Sequence, residues 1–283
     1  MTMMRPDVVP WGNVGTEEHE SDPNDSLYDN RILAEGDSWF SMGGIPTSNL
    51  LFSMRFKRFT IIVNCARPGD TIRKIGAIAR NSNLKKAMSR KDGYAWDVIL
   101  LSGGGNDLID DIDNIVMKFT GIESDPANYC NQVELAKTLQ SVEKGYRKII
   151  DLRDAAGSSC KGKPVVTHTY DWMTPRNSPA RFFPFKIKGP WIYPVLVTAG
   201  VPESQWNIIS DYLVDSLRTT IKGLTTGPDK LPNFHVVSTQ DTITPAALGE
   251  TGESGGWMNE IHPGSDGYKK LATKISKRVR RFL

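Results

Sequence analysis

The sequence is poor in cysteine and has no long apolar run, and both features exclude classes of protein. Its three cysteines, Cys65, Cys130 and Cys160, are odd in number and widely spaced. That pattern fits neither a disulfide framework nor a zinc knuckle. No segment reaches the roughly 18 apolar residues that span a bilayer, so stable membrane insertion is not expected. The N-terminus lacks the basic-then-apolar order of a signal peptide, which predicts a cytoplasmic protein unless a signal was removed earlier.

The charge is nearly balanced, which argues against nucleic acid as a partner. The formal net charge is +3 over 283 residues, too small to indicate a polyanion-binding surface. Basic residues crowd the final helical segment, 266–283, where a solvated helix face is favoured over a membrane contact. The glycines at 103–105 are not followed by the Gly-Lys-Ser/Thr of a phosphate-binding loop. A phosphate- or nucleotide-binding protein is therefore the weakest interpretation.

Short apolar runs alternate with longer helical patterns along most of the chain. Five runs are apolar at nearly every position, as in strands that helices cover on both faces: Arg31–Glu35, Thr60–Ala66, Asp97–Ser102, Pro164–Thr169 and Phe234–Thr239. Helical spacing is clearest at 132–152, 206–224 and the C-terminus. This alternation predicts an α/β fold with a parallel, doubly wound sheet.

Two segments depart from the βα pattern. Residues 1–30 are polar and acidic, and we interpret them as an N-terminal extension that Trp11 could anchor to the surface, although a solvent-exposed tail is equally compatible. The remainder, 31–283, is predicted to be a single domain with an insertion rich in proline and aromatic residues at about 171–202. This insertion is too irregular for a helix, and because it leaves the fourth strand at its carboxyl end, we favour a substrate wall over a structural flap.

The predicted strands release polar residues at one edge of the sheet, where open parallel sheets bind ligands. The first strand releases Gly36-Asp37-Ser38, and the second is followed by 64–71. The third is followed by 103–107, and the fifth, after a loop, by 259–263. The convergence of these four segments predicts a functional site there.

Ser38 needs a general base to act as a nucleophile, and only four histidines are present. His19 lies in the polar extension, and His235 lies near the start of the fifth strand, at the opposite edge. His168 fits a buried position within or just after the fourth strand. His262 lies in a loop at the correct edge, just before a helix, and is the predicted base.

Acyl transfer also needs hydrogen-bond donors that face the developing oxyanion. Gly69 allows close approach of its backbone N–H, and the carboxamide of Asn106 can donate from a fixed position beside the glycines at 103–105. Each of these alone would more often be an ordinary turn residue. Asp37 is interpreted as a turn or cap residue, and Asp107 as an acceptor that supports the site.

Together these segments resemble the SGNH superfamily, also called GDSL-type esterases and lipases. The four signature residues match in order at Ser38, Gly69, Asn106 and His262, and Trp39 stands where the name-giving leucine would be. The resemblance implies a flavodoxin-like three-layer α/β/α sandwich with a five-stranded parallel sheet in the order 2-1-3-4-5. It also implies ester hydrolysis through an acyl-enzyme, without a cofactor or metal. Ser38 would be the nucleophile, and Ser38, Gly69 and Asn106 would form the oxyanion hole.

One position departs from the family pattern. Members usually place an aspartate three residues before the histidine, where this chain has Asn259. An asparagine can fix the histidine tautomer but cannot supply the charge that stabilises an imidazolium. Three accounts stay open: an oxygen of Asn259 orients His262 in a working dyad, another carboxylate (Glu260, Asp241 or Asp266) replaces the missing acid, or the change marks a slow enzyme. We favour the dyad, and expect Glu260 to be exposed.

The predicted function is a serine esterase that acts on short acyl esters, with O-acetyl groups on a carbohydrate as a candidate substrate. We assign Trp39, Trp172 and Trp191 to substrate binding. Four cations in the insertion suggest an extended or anionic substrate: Arg176, Arg181, Lys186 and Lys188. The alternative is a catalytically impaired relative that uses the same fold to bind a ligand.

Overall fold

A six-stranded parallel sheet lies at the centre of the molecule. The structure is a computed structural model that describes residues 2–16, 21–41, 49–121, 125–182 and 186–283, except for the side chains of residues 181, 182 and 186. The strands of the sheet are β1 (Asp7–Pro10), β2 (Asn30–Gly36), β3 (Thr60–Asn64), β4 (Val98–Ser102), β5 (Val165–His168) and β8 (Phe234–Val237). They are arranged in the order β1-β3-β2-β4-β5-β8. Every residue of β4 is buried, as expected for a strand covered on both faces.

Helices cover both faces of the sheet and give three layers. The helices are α1 (Ser38–Ser41), α2 (Leu50–Ser53), α3 (Ile72–Ile75), α4 (Ser82–Ala87), α5 (Gly105–Ile115), α6 (Gln132–Asp154), α7 (Tyr193–Thr198), α8 (Glu203–Gly223) and α9 (Ser265–Val279). On one face α6 packs against α3, α5 and α8, and on the other α9 packs against α2. No described helix is long and apolar enough to cross a membrane.

The predicted α/β fold is confirmed, but the sheet has six strands rather than five. The five predicted strands occur in the predicted order, and β1 adds a sixth strand beside β3, with Asp7 opposite Ile61 and Pro10 opposite Asn64. The additional strand lies within the segment interpreted as a polar extension. Its Val9 is buried, and proline is tolerated at the end of an edge strand because the outer N–H positions need no partner.

The insertion is more regular than its sequence indicates. It contains a two-stranded antiparallel ribbon formed by β6 (Ala180–Phe182) and β7 (Lys186–Lys188), followed by α7. Pro194 lies in the first turn of α7, where its missing N–H costs no intrahelical bond. Phe183 and Phe185 lie outside the described residues, as does His19 near the N-terminus.

The ends of β2 and β4 approach each other so closely that position 36 requires glycine. A Cβ atom there would lie 2.7 Å from the carbonyl oxygen of Ser102 and 2.8 Å from its Cβ. The N–H of Asp37 donates to the same Ser102 carbonyl at 3.1 Å. This contact fixes the turn that leads from β2 into Ser38.

Candidate active site

Ser38 and His262 come together at the carboxyl edge of the sheet. Ser38 begins α1 immediately after β2, and His262 lies in the loop that leads into α9. The Oγ of Ser38 and the Nε2 of His262 are 2.9 Å apart, a hydrogen-bond distance. Both residues are buried. A hydroxyl in contact with an imidazole nitrogen is the arrangement that a base-activated nucleophile needs.

The side chain of Asn259 fixes the orientation of the His262 ring. Its Oδ1 lies 2.9 Å from Nδ1 of His262 and accepts from the backbone N–H of His262 at 3.0 Å and of Ile261 at 3.2 Å. Two backbone donors require an oxygen at this position, which assigns the amide orientation. Nδ1 of His262 therefore carries the proton, and Nε2 is free to accept the proton of Ser38.

Burial makes the His262 imidazole hard to protonate. It lowers the pKa of His262 to about 4, because a charged ring in this position would lose its hydration. Among the described residues, no carboxylate takes the place of the missing aspartate, and the partner of His262 Nδ1 is Asn259. Asp241 accepts from the indole of Trp172, and Asp266 pairs with Lys269 at the start of α9. Of the three accounts of position 259, the geometry fits an orienting amide oxygen.

Gly69 and Asn106 line the same cleft as Ser38 and His262. Gly69 has φ of +81°, a conformation that glycine adopts without strain. The Nδ2 of Asn106 donates one hydrogen to the carbonyl of Asp70 at 3.0 Å, which leaves its second hydrogen for a ligand. The backbone N–H of Ser38 lies in the first helical turn, where no intrahelical acceptor is available.

Asp107 ties the Asn106 segment to the neighbouring helix. Its carboxylate accepts from the N–H of Ile72 at 2.7 Å and lies 3.1 Å from the Nε of Arg73. Burial raises the pKa of Asp107 to about 6, an effect that these contacts oppose. The predicted supporting contact is therefore present, and it fixes the start of α5 against α3.

Two spaces of very different size meet at Ser38. The larger is an open cleft of about 480 Å³, lined by Gly69, Lys188 and Trp191 among others. The smaller has a volume of about 20 Å³ and is lined on its apolar side by Ile109, Met173 and Ile261. Asn106 lines both spaces. An ester bound at Ser38 would thus have unequal room for its two halves.

A model of the GDSL-like lipase/acylhydrolase family matches residues 25–275. This chain belongs to that family.

Several solved structures are similar to this chain at low sequence identity. An extracellular lipase from Streptomyces rimosus is 15% identical, with 90% of this chain and 100% of that chain covered and a TM-score of 0.50. A carbohydrate acetylesterase from Sinorhizobium meliloti is 11% identical, with 90% and 100% covered and a TM-score of 0.48. An aryl esterase from M. smegmatis is 13% identical, with the same coverage and a TM-score of 0.44. No curated protein sequence matches significantly. As a family member, the chain is a hydrolase of ester bonds.

In this GDSL-type hydrolase, Asp37 does more than cap a turn. Its carboxylate accepts from the hydroxyls of Ser102 at 2.7 Å and of Tyr170, and from the N–H of Trp39 at 3.0 Å. Ser102 in turn contacts Nε2 of His168 at 2.9 Å. The His168 ring is fully buried, which lowers its pKa to about 3 and keeps it neutral. The residue next to the nucleophile is therefore held by a buried polar network.

The three tryptophans assigned to substrate binding occupy different places. Trp191 lies in the cleft wall and contacts the His262 ring edge-on, with ring centres 5.6 Å apart. Trp39 is only 3% exposed and stacks on His168 at 5.2 Å, so it packs in the core, and it also lines the small space beside Ser38. Trp172 donates to Asp241 at 2.8 Å and does not line the large cleft.

The expectation that Glu260 would be exposed is wrong. Its side chain is buried and accepts from four backbone N–H groups of the insertion, those of Arg176, Trp191, Ile192 and Tyr193. These donors belong to a segment about 70 residues away in sequence, which is why periodicity could not reveal the contact. Glu260 thus connects the insertion to the loop that carries the catalytic histidine candidate.

Arg176 does not face the cleft as an anionic substrate would require. Its side chain is buried, with Nη1 donating to the carbonyls of Glu250 and Gly252. Of the four cations named in the insertion, Lys188 lines the cleft. The side chains of Arg181 and Lys186 lie outside the described part.

Among the described residues, no three histidine, cysteine, aspartate or glutamate side chains converge as around a metal ion.

We expect Glu260→Gln to lower thermal stability and to raise KM. Glutamine keeps one acceptor oxygen but turns an NH₂ group toward backbone donors, which leaves buried N–H groups without partners. Such a loss costs about 1–3 kcal/mol, or about 2–12 °C in Tm at 2–4 °C per kcal/mol. Thermal unfolding and ester kinetics measure the two effects. Glu134→Gln, a change at a partly exposed position of α6, is the control. Equal behaviour of the two variants would contradict the role given to Glu260.

Proposed function

We propose that the protein hydrolyses short-chain acyl esters, acetyl esters in particular, through an acyl-enzyme formed on Ser38. The observation that carries the proposal is the 2.9 Å contact between Ser38 Oγ and an imidazole whose other nitrogen is held by Asn259. This arrangement supports a Ser-His dyad oriented by an amide oxygen. A protein that only bound a ligand, without catalysis, would not need this contact.

Acylation begins when Ser38 Oγ attacks the ester carbonyl carbon and its proton moves to Nε2 of His262. The carbonyl oxygen becomes an oxyanion, to which the N–H groups of Ser38 and Gly69 and the Nδ2–H of Asn106 donate. The tetrahedral intermediate then collapses and breaks the bond to the alcohol oxygen. Nε2 of His262 returns its proton to that oxygen, and the alcohol leaves.

Deacylation repeats these steps with water as the nucleophile. His262 takes a proton from water, the hydroxide attacks the acyl carbon, and the same donors bind the second oxyanion. Collapse breaks the bond to Ser38 Oγ, which recovers its proton from Nε2, and the carboxylic acid leaves. During each step His262 is transiently an imidazolium whose Nδ1–H donates to a neutral amide oxygen rather than to a carboxylate.

The small space beside Ser38 sets the acyl length. A volume of about 20 Å³ is little more than the 10–15 Å³ that one water needs, so it accommodates a methyl group but not a longer chain. The open cleft of about 480 Å³ would receive the alcohol part. Its polar residues, including Asn106, Asp110 and Lys188, favour a polar alcohol such as a carbohydrate. The proposed partner is therefore a small-molecule or carbohydrate ester.

Acyl-chain preference tests this assignment. We expect kcat/KM on p-nitrophenyl esters to fall at least about tenfold from acetate to hexanoate, since a pocket of this kind discriminates by about 10- to 200-fold per misfitting methylene. Met173→Ala removes side-chain volume from the small space and should move the optimum to longer chains.

The control is Met88→Ala, which removes the same volume from a buried position after α4. Met88→Ala should lower the free energy of unfolding without changing the preference for acyl-chain length. A hexanoate rate equal to the acetate rate in the unaltered protein would refute the assigned acyl pocket while leaving ester hydrolysis itself intact.

A further inference from the structure

A second, basic pocket lies beside the proposed catalytic cleft. It has a volume of about 360 Å³ and no role in the steps described above. Its charged lining residues are Arg67, Asp70, Arg73, Lys74, Arg80 and Asp110. Four cations and two carboxylates thus surround a space large enough for a small polar group.

The cations of this pocket differ in whether a carboxylate already pairs with them. Arg73 is engaged by Asp107 at 3.1 Å and by Asp111 at 3.0 Å. Lys74 lies 3.8 Å from Asp110, with both side chains about half exposed. Within the part of the chain that the structure describes, no carboxylate lies within 4.0 Å of the guanidinium of Arg67 or Arg80.

One further acidic group lies near the pocket. Glu35 is buried and accepts from Asn81, which lines the pocket, and from the N–H of Gly36. Burial raises the pKa of Glu35 to about 7. Its carboxyl is therefore only partly ionised near neutral pH.

The pocket borders the cleft at Ser38. Asp110 lines both, and Pro68 and Gly69 of the cleft wall lie between Arg67 and Asp70 of the pocket. Consecutive Cα atoms are about 3.8 Å apart, so the Arg67 and Gly69 backbones are within about 8 Å of each other. A substrate whose ester lies at Gly69 could therefore reach the pocket with its alcohol part.

We propose that this pocket binds an oxyanion group, a carboxylate, phosphate or sulfate, carried by the alcohol part of the substrate. The planar guanidinium groups of Arg67 and Arg80 suit such groups because they offer paired N–H donors. Asp70 and Asp110 would repel an anion in other positions and so fix its place. The inference rests on the proposed ester hydrolysis and names the class of substrate that this site takes.

Matched acetate esters test the pocket. The anionic probes are 4-acetoxybenzoate and the longer 3-(4-acetoxyphenyl)propanoate, and each has its neutral carboxamide as partner. The ratio of kcat/KM for the anionic ester to kcat/KM for the neutral ester should fall about tenfold in the double variant Arg67→Gln/Arg80→Gln. Each exposed ion pair contributes about fivefold or less to this ratio. Added salt should reduce the difference. Arg90→Gln, an exposed change on the connection that leads to the amino end of β4, should leave the ratio unchanged.

Binding without turnover separates this inference from the proposed function. Calorimetric titration of 4-acetoxybenzoate into Ser38→Ala should show an affinity that falls at least about fivefold when Arg67 and Arg80 are also replaced. Competition by inorganic phosphate, inorganic sulfate or benzoate identifies which oxyanion the pocket prefers. Equal affinity with and without the two arginines overturns the inference. If the unaltered protein hydrolyses neither ester faster than Ser38→Ala, the proposed function fails, and the titration still decides the pocket.

Discussion

Ser38→Ala is expected to lower ester hydrolysis by about 10⁴- to 10⁶-fold, the range for removal of a nucleophile that acts as a unit with its base. Without Oγ no acyl-enzyme forms, and only the oxyanion donors and substrate binding remain. His262→Ala should cause a loss of similar size, and the double variant should lose little more than either. The measurement is kcat/KM on p-nitrophenyl acetate, with background hydrolysis subtracted.

A matched control is Ser141→Ala on the surface of α6, where the hydroxyl donates to the carbonyl of Lys137. It makes the same chemical change away from the site and should keep full activity. Labelling with a serine-reactive fluorophosphonate gives an independent readout, since the unaltered protein should label and Ser38→Ala should not. A protein that neither labels nor exceeds Ser38→Ala in rate would be the catalytically impaired binding module.

The part of the site built on strand ends could be predicted from sequence. Fully apolar strands indicate a sheet covered on both faces, and the carboxyl ends of parallel strands lie at one edge whatever the details of packing. Ser38 lies just after the end of β2, Asn106 lies in the first turn of the helix that follows β4, and Gly69 lies in the turn after β3. Their approach to one another therefore follows from topology alone.

Contacts made by the insertion could not be predicted in this way. Glu260 is a charged residue in a loop, for which exposure is the ordinary expectation, and its four partners are backbone N–H groups that no sequence pattern marks. The edge strand β1 was missed for a related reason. Its four residues are too few for a periodicity argument, and acidic neighbours obscure the buried Val9.

The packing of Trp39 could not be predicted, because an aromatic residue beside a nucleophile fits a substrate wall and a core equally well. The Trp39 ring stacks on His168 and lines the small space beside Ser38, and its Nε1 donates to the carbonyl of Ile261 at 3.1 Å. It thus ties the start of α1 to the His262 loop from within. No sequence pattern indicates that Trp39 contacts both His168 and Ile261.

Replacement of Asn259 is expected to change the rate of ester hydrolysis strongly, and the direction of the change depends on the new side chain. Asn259→Leu removes the acceptor for Nδ1 of His262 and for two backbone donors, so we expect a loss of about 10²- to 10⁴-fold in kcat/KM. Asn259→Asp keeps the acceptor and adds a charge. It should raise kcat by up to about 100-fold, less than the 10⁴ associated with an aspartate in a serine protease, because the tautomer is already correct.

The pH profile separates the effect of charge from that of orientation. His262 acts as a base only when neutral, and burial lowers its pKa to about 4, so activity should persist on acidification until the pH approaches that value. A carboxylate at position 259 favours the imidazolium and raises the pKa of His262, so the acid limb of kcat/KM should move upward by about 1–3 pH units. Asn131→Asp at the start of α6, where the side chain caps the helix, is the control. An unchanged acid limb in Asn259→Asp would mean that His262 is not the group whose protonation limits the reaction, and the dyad would have to be abandoned.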